Sequence, residues 1–459
     1  MIINAIDIEL QEGKNEFIGH TINLNSYSSF SPLDYIENFN QLKFINCTFN
    51  GDLEIEHLKN KFFKLTFKDC TFNGDILIND IDVDYLHFIN TKKINNIHID
   101  GSFNRFRFNN KDIPLSGKIA IFASVLKELN LDNLFLKNGD LELVINDNEE
   151  FDYTNFYSTF KNAKVDSWTS TNSFFGYSAN FREIEIYTDL VFDNCKFNKS
   201  IFYLANFARN TTFNNCKLYS YSGFEECINL EKTNFKISAC LFTSFPHFNS
   251  SEFNHLEISH TTFERKVSFD SLITNNLKLN QVTFLQGAYF DDIQIKKITA
   301  CDRKTIRTIK QELQKAENRI DFNRFRAYEL AAHYKELNWK WDSGFIDKSI
   351  LFATKISTDF GSNWLKGLRF TMISGFISFT FFFILENFKL NIDLNNWQDF
   401  IYGYFRFFLI TDFKNEYYQD GESVLKFNSI FSLFPFIIGK IVIAFGIYEM
   451  IQSFRKFKA

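Results

Sequence analysis

The chain has 459 residues, with 50 Lys and Arg against 55 Asp and Glu, so its formal net charge is -5. This balance gives no general basis for nucleic-acid binding, and the odd count of seven cysteines argues against a complete disulfide framework. Phenylalanine is unusually frequent, with 60 copies, which requires a large core or a repeated stacking position. The N-terminus lacks the basic and apolar segments of a signal peptide, so we expect the N-terminal part to stay in the cytoplasm.

A short motif, Phe-x-(Asn or Asp)-Cys-x-Phe, recurs along the first 300 residues. It occupies 44–49, 67–72 and 192–197, and variants of it begin at 88, 213, 237, 258 and 279. A fixed period near 21 residues is the signature of a solenoid. Apolar and polar residues alternate inside each copy, which predicts short strands. We therefore predict a mainly β solenoid over residues 1–301, a right-handed parallel β-helix with about 21 residues per coil that is irregular at 109–190.

In such a fold, equivalent residues of neighbouring coils lie about 4.8 Å apart. Cys47 and Cys70 would then form one structural ladder, and Cys195, Cys216 and Cys240 would form a second. Phenylalanines of the motif would form parallel ladders that fill the interior. The cysteine spacing does not match a metal site, and we expect neither a metal nor another cofactor.

Small or Cys residues at a stacked position, flanked by Phe, resemble the pattern of bacterial pentapeptide-repeat-like β-helix proteins. The resemblance covers about residues 40–300. The strict five-residue pattern of that family is absent, so the resemblance implies the solenoid architecture and carries no activity with it.

Helical spacing replaces the strand pattern after Cys301. Asp302 suits a helix N-cap, and residues 303–341 contain ten Lys or Arg against five Asp or Glu and end with two tryptophans. These features predict basic amphipathic helices over 302–341. Such helices cap the last coil, couple it to an anionic membrane surface, or do both. Residues 342–366 are predicted to be a linker.

Two apolar stretches predict a two-span membrane domain over 367–459. The stretch from Phe370 to Leu385 has no charge, and the stretch from Phe427 to Tyr448 is interrupted only by Lys440. The intervening loop, 386–426, has four basic and seven acidic residues, whereas Lys and Arg flank the outer ends. This bias predicts a multi-pass protein of the cell inner (plasma) membrane with both termini cytoplasmic.

A third apolar segment, 397–412, is too short to span a bilayer. The order of span, short segment and span resembles that of bacterial pentapeptide-repeat proteins that end in a two-helix, ion-channel-like domain. The sequences at 323–330 and 359–369 also resemble parts of those proteins. That resemblance implies a re-entrant pore helix, although the potassium-filter sequence is absent. An interfacial amphipathic helix is the alternative. The pore or gating candidates are Lys440, Arg406, Thr411, Asp412, Pro435 and Gly439.

Two functions compete at this point. In the first, a cytoplasmic β-helix binds or senses an unknown protein or ligand and controls an oligomeric channel-like or membrane-perturbing domain in the lipid bilayer. In the second, the protein is a non-conducting, membrane-tethered scaffold for protein interaction. An enzyme is not expected, although Asp80, Asp82 and Asp84 share one strand face and could bind calcium or supply an acid and a base. A homo-oligomer is expected, and nucleic acid is not an expected partner.

Overall fold

The computed structural model describes residues 15–24, 40–110, 113–146, 156–207, 209–228, 234–339, 343–387, 397–411 and 430–455. Its contacts divide the chain into two units, 1–308 and 309–459. The first unit is a parallel β-solenoid of about 11 turns with about 22 residues per turn. The predicted fold class, a parallel β-solenoid followed by helices of which two are long and apolar, is confirmed.

The solenoid strands are short in most coils and longest between residues 76 and 145. They are β1 (Glu16–Ile18), β2 (Thr21–Asn23), β3 (Gln41–Ile45), β4 (Thr48–Asn50), β5 (Leu53–Glu56), β6 (Lys59–Lys68), β7 (Thr71–Phe72), β8 (Ile76–Ile89), β9 (Ile97–Asn109), β10 (Ile119–Asn130), β11 (Phe135–Ile145), β12 (Tyr157–Thr159), β13 (Lys164–Thr171), β14 (Ser178–Asn180), β15 (Glu185–Asp193), β16 (Lys196–Phe197), β17 (Lys199–Ile201), β18 (Asn210–Asn214), β19 (Lys217–Leu218), β20 (Ser222–Gly223), β21 (Asn234–Ser238), β22 (Leu241–Phe242), β23 (Pro246–His247), β24 (Glu252–Ser259), β25 (Thr262–Phe263), β26 (Val267–Ser268), β27 (Ile273–Asn280), β28 (Thr283–Phe284), β29 (Ala288–Tyr289) and β30 (Gln294–Ile295).

Parallel pairing places equivalent residues of successive coils side by side. Phe44 pairs with Phe67 and Phe67 with Phe88 in one run, and Phe192 pairs with Phe213 in another. Because side chains along a strand alternate between its two faces, this register directs the motif phenylalanines into the interior. The described part of the predicted irregular region, 109–190, also contains paired strands, including the long β10 and β11.

The longest aromatic stack crosses seven coils and is built from phenylalanines outside the recurring motif. Successive ring centroids lie 4.4 to 5.1 Å apart and the rings are nearly parallel. Such pairs contribute about 0.5–1.5 kcal/mol each beyond their burial. This stack, together with the motif ladders, accounts for much of the phenylalanine content. Its members are Phe160, Phe181, Phe202, Phe224, Phe248, Phe269 and Phe290.

Left-handed residues mark the corners of the coils. Asn46, Asp69, Asn172, Asn194 and Asn215 have φ between 48° and 54°, a region that Asn and Asp adopt more readily than other non-glycine residues. The amide of Asn194 donates to Oδ1 of Asn172 at 2.7 Å, and the amide of Asn215 donates to Oδ1 of Asn194 at 3.2 Å. The Asn or Asp of the motif therefore shapes the corner and links neighbouring coils.

Six helices follow in the described part of the chain. They are α1 (Arg303–Lys315), α2 (Arg319–Glu336), α3 (Ser343–Thr358), α4 (Trp364–Asn387), α5 (Trp397–Phe407) and α6 (Ile430–Arg455), and a short 3-10 helix (Ile298–Ala300) precedes them. At the start of α1, the hydroxyl of Thr305 accepts a hydrogen bond from the backbone N–H of Leu279 at 2.8 Å. The segment predicted to be a linker, 342–366, contains α3.

Small residues allow α4 and α6 to pack closely as a hairpin. Gly367, Thr371 and Gly375 lie four residues apart on the inner side of α4. A Cβ added at Gly446 of α6 would lie 2.3 Å from Oγ1 of Thr371, and one at Gly367 would lie 3.4 Å from Cβ of Met450. Membrane helices associate through such small-residue stripes because the backbones can approach each other.

Candidate functional site

The candidate site lies where α5 packs against the hairpin of α4 and α6. Near the start of α5, the ring of Phe400 lies 5.2 Å from that of Phe379 and 5.1 Å from that of Phe383, measured between centroids. One turn later, the hydroxyl of Tyr404 donates to the backbone oxygen of Met372 at 2.9 Å. The contacts move from the C-terminal half of α4 to its N-terminal half, so α5 runs back along α4.

The end of α5 lies beside the middle of α6. The ring of Phe407, the last residue of α5, lies 5.8 Å from the ring of Phe436. A Cβ added at Gly439 would lie 2.8 Å from the Phe407 ring, so the glycine makes room for α5. The end of α5 thus joins a buried apolar cluster formed by Phe379, Phe382, Phe407, Phe436 and Ile443.

Lys440 is a buried cation at this point. It is only 4 % exposed, and its Nζ donates to the backbone oxygen of Leu409 at 2.7 Å. The same Nζ lies 5.0 Å from the ring centroid of Phe407 and 5.3 Å from that of Phe436. A desolvated cation gains about 2 kcal/mol from an aromatic face. The structure therefore directs the ammonium onto the end of α5, and we call this contact the Lys440 latch.

The latch adds a hydrogen bond to the turn that follows α5. The last carbonyls of a helix lack partners within the helix and carry partial negative charge. Here the oxygen of Phe405 accepts from the N–H of Phe408 at 3.2 Å, and the oxygen of Arg406 accepts from the N–H of Leu409 at 2.9 Å. Lys440 supplies a charged donor to the carbonyl of Leu409, just beyond this turn. This arrangement holds the end of α5 in place by electrostatics as well as by packing.

The other pore or gating candidates lie close to the latch or beyond it. Arg406 is half-buried in the last turn of α5, and Thr411 is exposed at the end of that described segment. Asp412 lies outside the described residues. Pro435 and Gly439 belong to α6, which is continuous over its 26 residues. Gly439 packs closely against Ser378 of α4 and against Phe407 at the end of α5.

A second buried polar contact joins α3 to α6. Glu449 is 8 % exposed and accepts a hydrogen bond from the hydroxyl of Thr358 at 2.9 Å. The adjoining Asp359, Phe360 and Gly361 all have positive φ, between 53° and 79°, and they turn the chain from α3 into α4. Sequence reasoning did not single out this contact, because the two partners are 91 positions apart.

The ladder cysteines lie buried in the solenoid with free thiols. The Sγ of each donates to a backbone carbonyl of the preceding coil at 3.4 Å. Burial raises the pKa of Cys195, which keeps its thiol protonated as a donor. These contacts give the cysteines a structural role. The five residues are Cys47, Cys70, Cys195, Cys216 and Cys240.

The aspartate row that could suit an enzyme is a set of surface pairs. Asp80 lies 2.8 Å from Nδ1 of His57 and 3.1 Å from Nζ of Lys59, and hydrogen bonds from these two groups lower its pKa. Asp82 and Asp84 also contact side chains of neighbouring coils. Among the described residues, no three His, Cys, Asp or Glu side chains group as metal ligands.

No protein-family model matches this chain, and searches of curated proteins and of solved structures return no significant match. Two described helices are long and apolar enough to cross a membrane, Trp364–Leu385 and Ile430–Phe454. Only 22 % and 33 % of their apolar windows are buried, whereas the core helix of a soluble protein is mostly buried. A β-solenoid joined to two such helices fits a membrane-tethered scaffold.

Proposed function

We propose that this protein is a membrane-anchored β-solenoid whose two-span domain associates with copies of itself into a channel-like assembly around α5. The observation that carries the proposal is the position of α5. This half-helix ends against the middle of two helices that are each long enough to cross a bilayer. In this proposal α4 and α6 are the spans and α5 is re-entrant.

The end of α5 supports self-association for a physical reason. Backbone that leaves the helix at mid-membrane depth is tolerated only where protein buries it or where it lines a water-filled cavity. With α4 and α6 across a bilayer, residues 408–411 occupy this depth. In one copy Leu409 is 56 % exposed, and Thr411 is exposed beside it. Neighbouring copies and an enclosed water-filled path would cover them.

The exposed side of α5 supplies a surface for a neighbouring copy. Tyr402 is 73 % exposed and Phe405 is 60 % exposed, although both belong to a helix whose opposite side is buried. Two spans per chain cannot enclose an aqueous path, so conduction needs about four or more copies. The assembly proposed is therefore a homo-oligomer in which α5 of each copy faces the shared centre.

The proposal also assigns the orientation and the role of the solenoid. The charge bias places both ends in the cytoplasm, at the inner membrane of a bacterial cell as the resemblance implies. The solenoid then binds or senses a cytoplasmic partner and controls the membrane assembly. One surface suited to a partner is an open groove of about 670 Å³ that is lined by charged and aromatic side chains. Its lining includes Asp84, Arg105, Glu128 and Tyr157.

Ion flux through liposomes that contain the purified full-length protein tests this function. We expect flux above that of empty liposomes. Phe405→Ala, on the exposed side of α5, should change the flux several-fold. The matched control is Ile441→Ala, which alters a similarly exposed apolar residue of α6 (62 %) and should leave the flux nearly unchanged. Flux equal to that of empty liposomes, with protein incorporation verified, would contradict the channel-like function.

A second candidate, the non-conducting tethered scaffold, is favoured by one specific observation. The ammonium of Lys440 binds Leu409 within the same chain, so this cation has a structural role that needs no pore. The flux measurement separates the two candidates, because the scaffold predicts an incorporated protein that conducts nothing. Catalysis is no part of either candidate.

A further inference from the structure

We infer that α3 is an interfacial helix whose apolar side inserts into the headgroup boundary of the same bilayer that α4 and α6 cross. This inference rests on the proposed membrane anchoring and names a further part of the chain that touches lipid. The partner is a lipid surface, recognised by the apolar side chains of α3. The sequence pattern alone had predicted only a linker here.

The residues of α3 separate into two sides when placed on a helix of 3.6 residues per turn. Lys348 and Lys355 fall on one side, and Asp347 lies at the edge of the other, about 60° from Ile350. Ile346 and Ile350 fall within an apolar arc on the other, together with Phe345, Phe352 and Ile356. Such a division is typical of helices that lie in the plane of a membrane surface.

The lysine side of α3 faces the protein. Nζ of Lys348 donates to the backbone oxygen of Leu337 and lies 5.2 Å from the ring centroid of Trp339. Nζ of Lys355 lies 4.8 Å from the ring centroid of Tyr334. The rings of Phe345 and Phe352, at one edge of the apolar arc, also contact the Trp339 ring. The isoleucines of the arc are directed elsewhere.

The apolar side of α3 is left open. Ile346 is 67 % exposed, Ile350 is 57 % exposed and Ile356 is 42 % exposed. A contiguous set of exposed isoleucines marks a surface that meets a membrane or another protein. On this protein the favoured occupant is lipid, because the exposed apolar side chains continue directly into α4 at Trp364 and Leu365, which are 39 % and 41 % exposed.

The turn between α3 and α4 fixes α3 near the end of the spans. The hydroxyl of Thr358, in the last turn of α3, donates to the carboxylate of Glu449 in α6. Nζ of Lys366, in the first turn of α4, donates to the backbone oxygen of Lys355 at 2.9 Å. These contacts join the C-terminal turn of α3 to the ends of both spans, which is the level of a membrane interface when the spans cross a bilayer.

A polarity-sensitive fluorophore on single added cysteines tests the inference in the full-length protein in liposomes. The seven native cysteines are all buried, so an exposed new cysteine labels selectively. The three positions are Ile350→Cys on the apolar side of α3, Lys355→Cys on its lysine side, and Ile441→Cys in the proposed span α6. Quenching by lipids brominated along their chains measures contact with the bilayer interior.

We expect strong quenching and a blue-shifted emission at position 441, intermediate quenching at 350, and little quenching at 355. If 441 is quenched while 350 behaves like 355, the inference about α3 is overturned and the membrane anchoring stands. If 441 is not quenched, the proposed anchoring itself fails, and the inference fails with it. Equal strong quenching at 350 and 355 would also contradict it, because α3 would then be immersed on both sides.

Discussion

Replacing Lys440 with methionine removes the ammonium of the latch while it keeps an unbranched side chain of similar length. The change deletes the 2.7 Å hydrogen bond to the oxygen of Leu409 and the contacts with the rings of Phe407 and Phe436. Methionine fills the same space beside α5. The change should therefore weaken the docking of the end of α5 on α6 and leave the packing around it little altered.

The magnitude follows from four contributions, of which three weaken the docking and one opposes them. A hydrogen bond from a charged donor contributes about 1.5–3 kcal/mol, and the cation over aromatic rings contributes about 2 kcal/mol when desolvated. Against these, methionine avoids the cost of burying an ammonium, which is several kcal/mol. The oxygen of Leu409 loses its donor, at about 1–3 kcal/mol. We expect the docking of α5 to weaken by about 2 kcal/mol, which is roughly 30-fold in its opening equilibrium.

Hydrogen exchange of peptides that cover α5 measures this opening in the detergent-solubilised full-length protein. Exchange within α5 should rise roughly 30-fold in Lys440→Met, while exchange in the solenoid strands stays unchanged. The matched control is Lys366→Met. It also removes an ammonium that donates to a backbone carbonyl, the oxygen of Lys355 at 2.9 Å, but at an exposed site. Exposed interactions of this kind contribute little, so the control should change exchange less than about twofold.

An unchanged exchange rate in α5 of Lys440→Met would refute the latch. If the flux changed in the same variant while α5 stayed fully protected, Lys440 would act on permeating ions directly. The structural contact with Leu409 would then be incidental to its role.

Three further predictions concern the hairpin and the solenoid. Gly446→Ala should lower the thermal stability of the solubilised membrane domain by about 1–3 kcal/mol, because its Cβ would lie 2.3 Å from Oγ1 of Thr371. Adding Thr371→Ala should recover part of the loss. A single variant as stable as the original protein would contradict the close packing. Burial, with a smaller effect from Arg107, lowers the pKa of His87 to about 4. Folding stability should therefore fall as the pH drops from about 6.5 to 4, because the unfolded chain binds the proton and the folded chain does not. His87→Gln should weaken this pH dependence in denaturation at pH 7 and pH 4.5, and an equal dependence in both proteins would refute it. Ala239 has φ of 54° at a corner, so Ala239→Asn should stabilise the solenoid by about 1 kcal/mol in urea unfolding, and a destabilised variant would show that the side chain does not fit the corner.

The solenoid could be predicted because its cause is local and periodic. A motif that returns every 21 to 24 residues specifies the parallel register, and alternation within each copy specifies which side chains point inward. The seven-phenylalanine stack was harder to find, since its members lie between copies of the recurring motif and the residues that follow them vary in type, as in Phe202-Tyr-Leu and Phe269-Asp-Ser. The left-handed corner at Asn194 becomes visible only when the coils are aligned.

The candidate site depends on contacts that no local pattern contains. Sequence reasoning singled out Lys440 because a charge within an apolar span is costly. It did not identify Leu409, 31 positions away, as the acceptor, because that pairing depends on how α5 packs. The short apolar segment left two placements open, re-entrant or interfacial. Its contacts with Phe379 and Met372 of α4 support the re-entrant placement that we propose.

The α3 helix was missed for a different reason. It begins at Ser343 with Gly344 in its first turn, and its apolar residues are spaced for a lipid surface rather than for a buried core. Local propensity for such a helix is weak in water, where short helices gain most of their stability from packing. Gly367 and Gly375 likewise looked unremarkable in sequence, and the close approach of α6 gives them their role.

The mass of the detergent-solubilised full-length protein, corrected for bound detergent, measures how many copies assemble. We expect about four or more copies per particle, because two spans and one half-helix per chain enclose a water-filled path only in such an assembly. A particle that contains one or two copies, across detergents that preserve the protection of α5, would contradict the channel-like assembly. The tethered scaffold would then be the better description of this protein.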